Sequence, residues 1–71
     1  MKKIAISTPF IKLDSFLKLC GVSVTGGQSK IMIASGDILV DGQPCLMRGK
    51  KLYPGAVVVA EGQEFEVVAA L

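Results

Sequence analysis

Histidine and tryptophan are absent from this sequence, cysteine occurs twice, and one tyrosine and three phenylalanines are the only aromatic residues. Without histidine the chain lacks the commonest metal ligand and the commonest general base near neutral pH, and two thiols alone cannot complete a zinc site. No metal and no cofactor are therefore expected. Long apolar runs are missing too: Ile31 to Ala34 and Ala56 to Ala60 fall far short of the ~20 residues a membrane-spanning helix requires. Lys2 and Lys3 precede a short apolar stretch, but Ser7, Thr8, Pro9, Lys12 and Asp14 interrupt it before it reaches the form of a secretory signal. The expectation is a protein that stays in the cytoplasm, away from membranes. Cys20 and Cys45 fit that compartment as free thiols, since a secreted domain this small usually carries several disulfides.

What is present points to one folded unit over residues 1–71. Half of the residues are apolar, well above the content of a disordered chain, so a packed core is expected, although a chain this short has a thin margin of stability. The net charge of +2 conceals an uneven distribution. All eight lysines and arginines precede Leu52, against Asp14, Asp37 and Asp41, whereas beyond it stand Glu61, Glu64 and Glu66 with no basic residue. Such a dipolar chain suggests one face for a polyanion and another turned away from it.

Local patterns give the element order. Lys3 to Ser7 is rich in β-branched residues and reads as a short strand ended by Thr8-Pro9. Leu13, Phe16, Leu17 and Cys20 fall on one helical face, Asp14 sits in the first turn where a carboxylate suits the helix dipole, and Gly21 ends the helix. Thr25 is a good N-cap for a second helix running to about Ser35, with Gly36 as its stop. Because Ile31, Met32, Ile33 and Ala34 cover nearly the whole circumference, that helix is expected to pack on two sides. Asp41-Gly42 favours a tight type I′ hairpin after Ile38 and Val40, Pro54-Gly55 a type II turn, and Glu61-Gly62 a second hairpin between strands at 56–60 and 64–68. In the last strand Phe65 and Val67 share one face, opposite Glu64, Glu66 and Val68. The expected architecture is α+β, two packed helices against a small, mainly antiparallel sheet.

Two constellations could carry binding. Thr25-Gly26-Gly27 opens a helix, where free amides and the dipole can hold a phosphate and glycine allows close approach; a threonine cap followed by flexible glycines explains the same residues. Arg48, Lys50 and Lys51 surround Gly49 in a dense basic loop whose cations can meet successive phosphates, though solvated lysines are common in loops. Lys12, Lys18 and Lys30, on or near the helices, would extend that surface if the faces adjoin. Phe10, Phe16 and Phe65 are expected in the core, which leaves Tyr53 either to stack on a base or to sit as a half-buried strand tyrosine. So few exposed aromatics favour structured RNA recognised by shape and phosphate over a single strand. Catalysis is not expected, because Asp14, Asp37 and Asp41 are explained by helix and turn positions and no nucleophile is paired with a base.

Lys12-Leu13-Asp14, Phe16-Leu17, Gly21, Thr25, Lys30, Gly36, Ile38-Leu39-Val40-Asp41-Gly42 and Pro54-Gly55 together resemble the RNA-binding domain named after the fourth protein of the small ribosomal subunit, the S-four domain or alpha-L motif. The resemblance spans residues 11 to about 60. Residues 25–30 and 48–53 look most like the stand-alone bacterial YaaA/YbcJ-type proteins. The resemblance implies an alpha-L fold and a positive surface for structured ribosomal or transfer RNA, lined by Lys12, Thr25, Lys30, Arg48, Lys50 and Lys51, with Gly26, Gly27 and Tyr53 as neighbouring candidates. It also implies an accessory factor at the ribosome that carries no catalytic domain. Many members place arginine directly after the residue that opens the second helix, and here Gly26 stands there. The alternative left open is a protein-interaction adaptor that keeps the fold and docks a partner through its apolar hairpin or second helix.

Overall fold

In the computed structural model, which describes residues 1–70, the two ends of the chain lie side by side in one sheet. Strand β1 (Lys2–Ile6) pairs in parallel with β7 (Gln63–Ala69), so that Lys2 stands opposite Phe65 and Ile6 opposite Ala69. Between them the chain forms β2 (Ile11–Lys12), α1 (Leu13–Leu19), α2 (Gly26–Ala34), β3 (Leu39–Val40), β4 (Gln43–Pro44), β5 (Lys51–Leu52) and β6 (Val57–Ala60). The main sheet has the order β1-β7-β6-β3-β4, antiparallel except for its first pair, and β2 with β5 makes a separate antiparallel ladder. The α+β architecture is as expected. The parallel pair is the addition, since no local pattern reveals a contact between residues sixty positions apart, about as non-local as this chain permits.

Each turn adopts the geometry its residues favour. Asp41 (φ 51°) and Gly42 (φ 86°) both lie in the left-handed region, as a type I′ turn requires, and bring Val40 opposite Gln43. Glu61-Gly62 repeats the device between β6 and β7. Ala56 N–H donates to the Tyr53 carbonyl (3.0 Å), closing the turn at Pro54-Gly55. These turns set a register in which Phe65 and Val67 face the core while Glu64 is exposed.

The core forms where α1 meets the sheet. Leu13, Phe16 and Leu17 are buried, and Phe16 meets Phe65 edge-to-face with centroids 6.4 Å apart. Aromatic pairs of this kind contribute about 0.5–1.5 kcal/mol beyond their buried area. Helix α2 differs from the expectation of two-sided packing. Only Ser29 and Ile33, four residues apart, are buried, and Ile31 is 71 % exposed. The chain supplies a single helical layer, so nothing lies beyond α2 to cover its outer face. Phe10 is a second correction: it is half-buried at the surface and does not join the core.

Gly42→Val places a β-branched residue at φ 86°, where a Cβ meets no neighbour, so the penalty is purely conformational, about 1 kcal/mol or more. Its thermal midpoint should drop by about 4–8 °C, and an unchanged midpoint would contradict the turn. Cys20 and Cys45 are both free and half-buried, and burial pushes the Cys20 thiol up from its ordinary value. Under non-reducing conditions both should take an alkylating reagent, Cys20 slowly until urea unfolds the domain, and recovery of an unalkylated species two mass units light would contradict this.

Candidate nucleic-acid interface

The basic stretch is fastened to α1 by its backbone. The first amides of a helix have no partner within it, and here Leu13 N–H donates to the Lys50 carbonyl (2.9 Å) and Asp14 N–H to the Arg48 carbonyl (3.1 Å). Lys50 N–H turns back to the Met47 carbonyl (3.1 Å), which folds the loop on itself. Just before α1, Lys12 stands opposite Lys51 in the β2–β5 ladder. Lys12, Arg48, Lys50 and Lys51 are thereby gathered at the start of one helix, all exposed. Like charges directly opposite on a ladder are unfavourable, so this pairing opposes folding.

The aromatic residues beside this cluster support it. Thr8 Oγ1 donates to the Phe10 carbonyl (2.7 Å), and the Phe10 ring lies tilted against Tyr53 with centroids 5.9 Å apart. Lys51 Nζ sits 4.9 Å from the Phe10 centroid, a cation–π contact of about 0.5–1 kcal/mol at an exposed site. Tyr53 is 54 % exposed. Phe10 thus positions a cation and an aromatic neighbour of the site, a role hidden in the sequence because Phe10 precedes the helix and belongs to no periodic pattern.

Helix α2 brings its own N-terminus to the same place. Thr25 Oγ1 accepts from Gln28 N–H (3.0 Å), and Gln28 Oε1 accepts from Val24 N–H (2.9 Å), a reciprocal cap displaced by one residue from the usual box. Between these two residues, a Cβ on Gly26 would meet nothing within 4 Å and one on Gly27 only Thr25 Oγ1 at 4.0 Å. The buried Ser29 donates from Oγ to the Asp14 carbonyl (3.2 Å), and the buried Ser23 hydroxyl completes the set as donor to Ser29. Asp14 is therefore bonded through its N–H to the basic loop and through its C=O to α2. Lys30, next to Ser29, is exposed on α2. Lys18 lies in the last turn of α1, at the other end of that helix from the cluster.

Sequence reasoning found the cations and the cap but missed the serine pair. The available signal was that Ser29 precedes Ile33 by four residues and so shares its buried helical face. Among the described residues, no group of three metal-ligating side chains is found and no helix is long and apolar enough to cross a membrane.

The model of the S4 domain matches residues 4–68. The chain belongs to the S4-domain family. A relative from Bacillus subtilis (strain 168), the probable ribosome maturation protein RlbA, is 44 % identical over 66 residues, 92 % of this chain and 93 % of that protein. The putative RNA-binding protein YbcJ of Escherichia coli (strain K12) is 39 % identical over 61 residues, 86 % of this chain and 87 % of that protein. The solution structure of YbcJ from E. coli, described as revealing an alpha-L motif involved in RNA-binding, superposes with a TM-score of 0.74 at 36 % identity, covering 97 % of this chain and 89 % of that one. The fold of this S4 domain is thus the alpha-L fold, and the match extends the sequence resemblance to both sheet-forming ends.

Ser29→Ala tests the tie between the helices. The buried Ser23 hydroxyl and the Asp14 carbonyl both lose a partner, which costs about 1–3 kcal/mol. A clear fall in thermal midpoint is expected. Wild-type stability would show that the serine pair does not hold α2 to α1.

Proposed function

We propose that this chain binds structured RNA, ribosomal or transfer RNA, through a cationic surface made by Lys12, Arg48, Lys50 and Lys51 together with Lys30 and the opening turn of α2. The observation that carries the reading is the convergence of both helix starts and the basic loop on the backbone of Asp14. Cations gathered at the start of α1, beside the positive end of α2 and Lys30 upon it, suit phosphate. Thr25 is engaged as a cap, so its contribution is to hold the amides of Gly26 and Gly27 outward, where the missing Cβ atoms leave room for a backbone. Tyr53 borders the cationic surface as a stacking neighbour. Similarity to a protein named for ribosome maturation and to one named as RNA-binding supports the same reading. We place the activity in the cytoplasm, at the ribosome, as that of a single binding domain that holds RNA without catalysing a reaction.

Each phosphate contact releases condensed counterions, so log affinity falls with log salt in proportion to the phosphates neutralised. With a fluorescein-labelled RNA hairpin as probe, alanine at Arg48, Lys50 and Lys51 together should weaken binding and flatten the salt slope by about two units. Thermal stability should change little, because exposed loop charges contribute little to it. Lys2 and Lys3, on β1 at the sheet edge opposite β4, provide the control. If their neutralisation weakens binding as much as the loop variant does, the attraction is diffuse and the residue assignment fails. Binding that does not weaken with salt would contradict phosphate contacts, whereas a largely apolar contact with a protein partner, the adaptor alternative, need not weaken with salt.

A further inference from the structure

Beside the cationic surface runs a groove that phosphate contacts leave unexplained. One cavity of about 460 Å³ is bordered by Pro44, Leu46 and Met47, and a second of about 330 Å³ by Tyr53 and Gly55. Val40, Asp41 and Lys50 border both, so the two adjoin along a shared wall as a channel between the β3–β4 hairpin and the basic loop. Its wall is fixed: Asp41 N–H donates to the Val57 carbonyl (2.8 Å), and Asp41 Oδ1 accepts from Val57 N–H (3.0 Å). Leu46 and Met47 are each 65 % exposed and stand directly before Arg48. Two adjacent large aliphatic side chains that the core does not use, set among cations, favour a ligand with an apolar face and an attached negative charge.

The charges decide which end of such a ligand goes where. Asp41 and Lys50 border both cavities, whereas Lys51 borders only the second, away from Leu46 and Met47, so a phosphate is favoured at the Lys50–Lys51 end and an apolar group at the other. We propose that the channel seats one unpaired nucleotide of the bound RNA, its base against Leu46 and Met47 and its phosphates on Lys50 and Lys51. This rests on the RNA-binding reading above and specifies the kind of RNA. The volume suits it, since small-ligand sites run to about 300–1,000 Å³. Methionine adapts to differently shaped bases. A continuous duplex offers no free base, because the major groove of A-form RNA is too deep and narrow for side chains to read. The channel therefore distinguishes a bulge or loop from a paired stem.

Two RNA hairpins test this, identical except that one carries a single 2-aminopurine bulged from its stem. The bulged hairpin should bind about tenfold more tightly, the scale expected for covering one or two aliphatic side chains, and its 2-aminopurine fluorescence should change on binding. Combining Leu46→Ser with Met47→Ser should bring the two hairpins to equal affinity. Binding of the paired hairpin, its salt slope and the thermal midpoint should stay at wild-type values. Equal affinities in the wild-type protein, or a double variant that weakens both hairpins alike, overturn the nucleotide seat and leave the phosphate surface standing. Failure of the wild-type protein to bind either hairpin overturns both readings.

Discussion

The backbone of Asp14 is bonded on both sides to segments far from it in the chain, through its N–H to the Arg48 carbonyl and through its C=O to the Ser29 hydroxyl. One peptide position therefore sets the placement of the basic loop and of α2 relative to α1. The arrangement works because the first turn of a helix has amides to spare. Leu13 and Asp14 give theirs to the carbonyls of Lys50 and Arg48, and a loop whose main chain is held in this way keeps its side chains free for another use. Only the rotamers of Arg48, Lys50 and Lys51 remain to be ordered by a ligand. That lowers the entropic penalty of binding relative to a loop that must also fix its backbone.

Charge is segregated by the same topology. The glutamates of β7 alternate with Phe65 and Val67, and Phe65 packs on α1, so Glu64 and Glu66 face away from the helical layer. Lys12, Arg48, Lys50 and Lys51 collect at the start of α1, even though Lys12 and Lys51 then oppose each other across a ladder. A fold selected for stability alone gains nothing from that juxtaposition. A polyanion lying over both lysines removes the repulsion, and the dipole of the whole domain orients its approach.

The turns, both helices and the burial pattern of β7 were legible because each depends on residues within about ten positions of one another. Asp41-Gly42 and Glu61-Gly62 require positive φ locally, and Phe16-Leu17 states its face within one helix. What was illegible is non-local. The parallel pairing of β1 with β7 leaves no mark in either segment, and the outward face of α2 carries Ile31, which composition alone assigns to a core, whereas its neighbour Met32 does pack against the core. Phe10 was misplaced for a related reason: apolar character says that a ring will find a partner, but here the partners are Tyr53 and Lys51. The basic residues of the candidate site were legible as types and not as an assembly, because the β2–β5 ladder and the Asp14 node that bring them together are backbone contacts.

The two glycines at the start of α2 bear on how the site meets its ligand. Neither has a positive φ and neither is crowded by the protein itself, so internal packing gives no reason for them. In a helix each is unfavourable by about 0.8–1.0 kcal/mol relative to alanine, a sizeable fraction of the margin available to a 71-residue chain. The reciprocal cap between Thr25, Gln28 and Val24 offsets part of this by fixing the turn that the glycines loosen. The remaining advantage lies outside the chain, where the absence of side chains lets another molecule approach the helix amides directly. Where many S4 domains carry an arginine, this one presents bare backbone. On the RNA-binding reading proposed above, the long-range attraction falls to the loop at 48–51, and the helix start would contribute short-range hydrogen bonds whose strength depends on contact and not on charge at a distance.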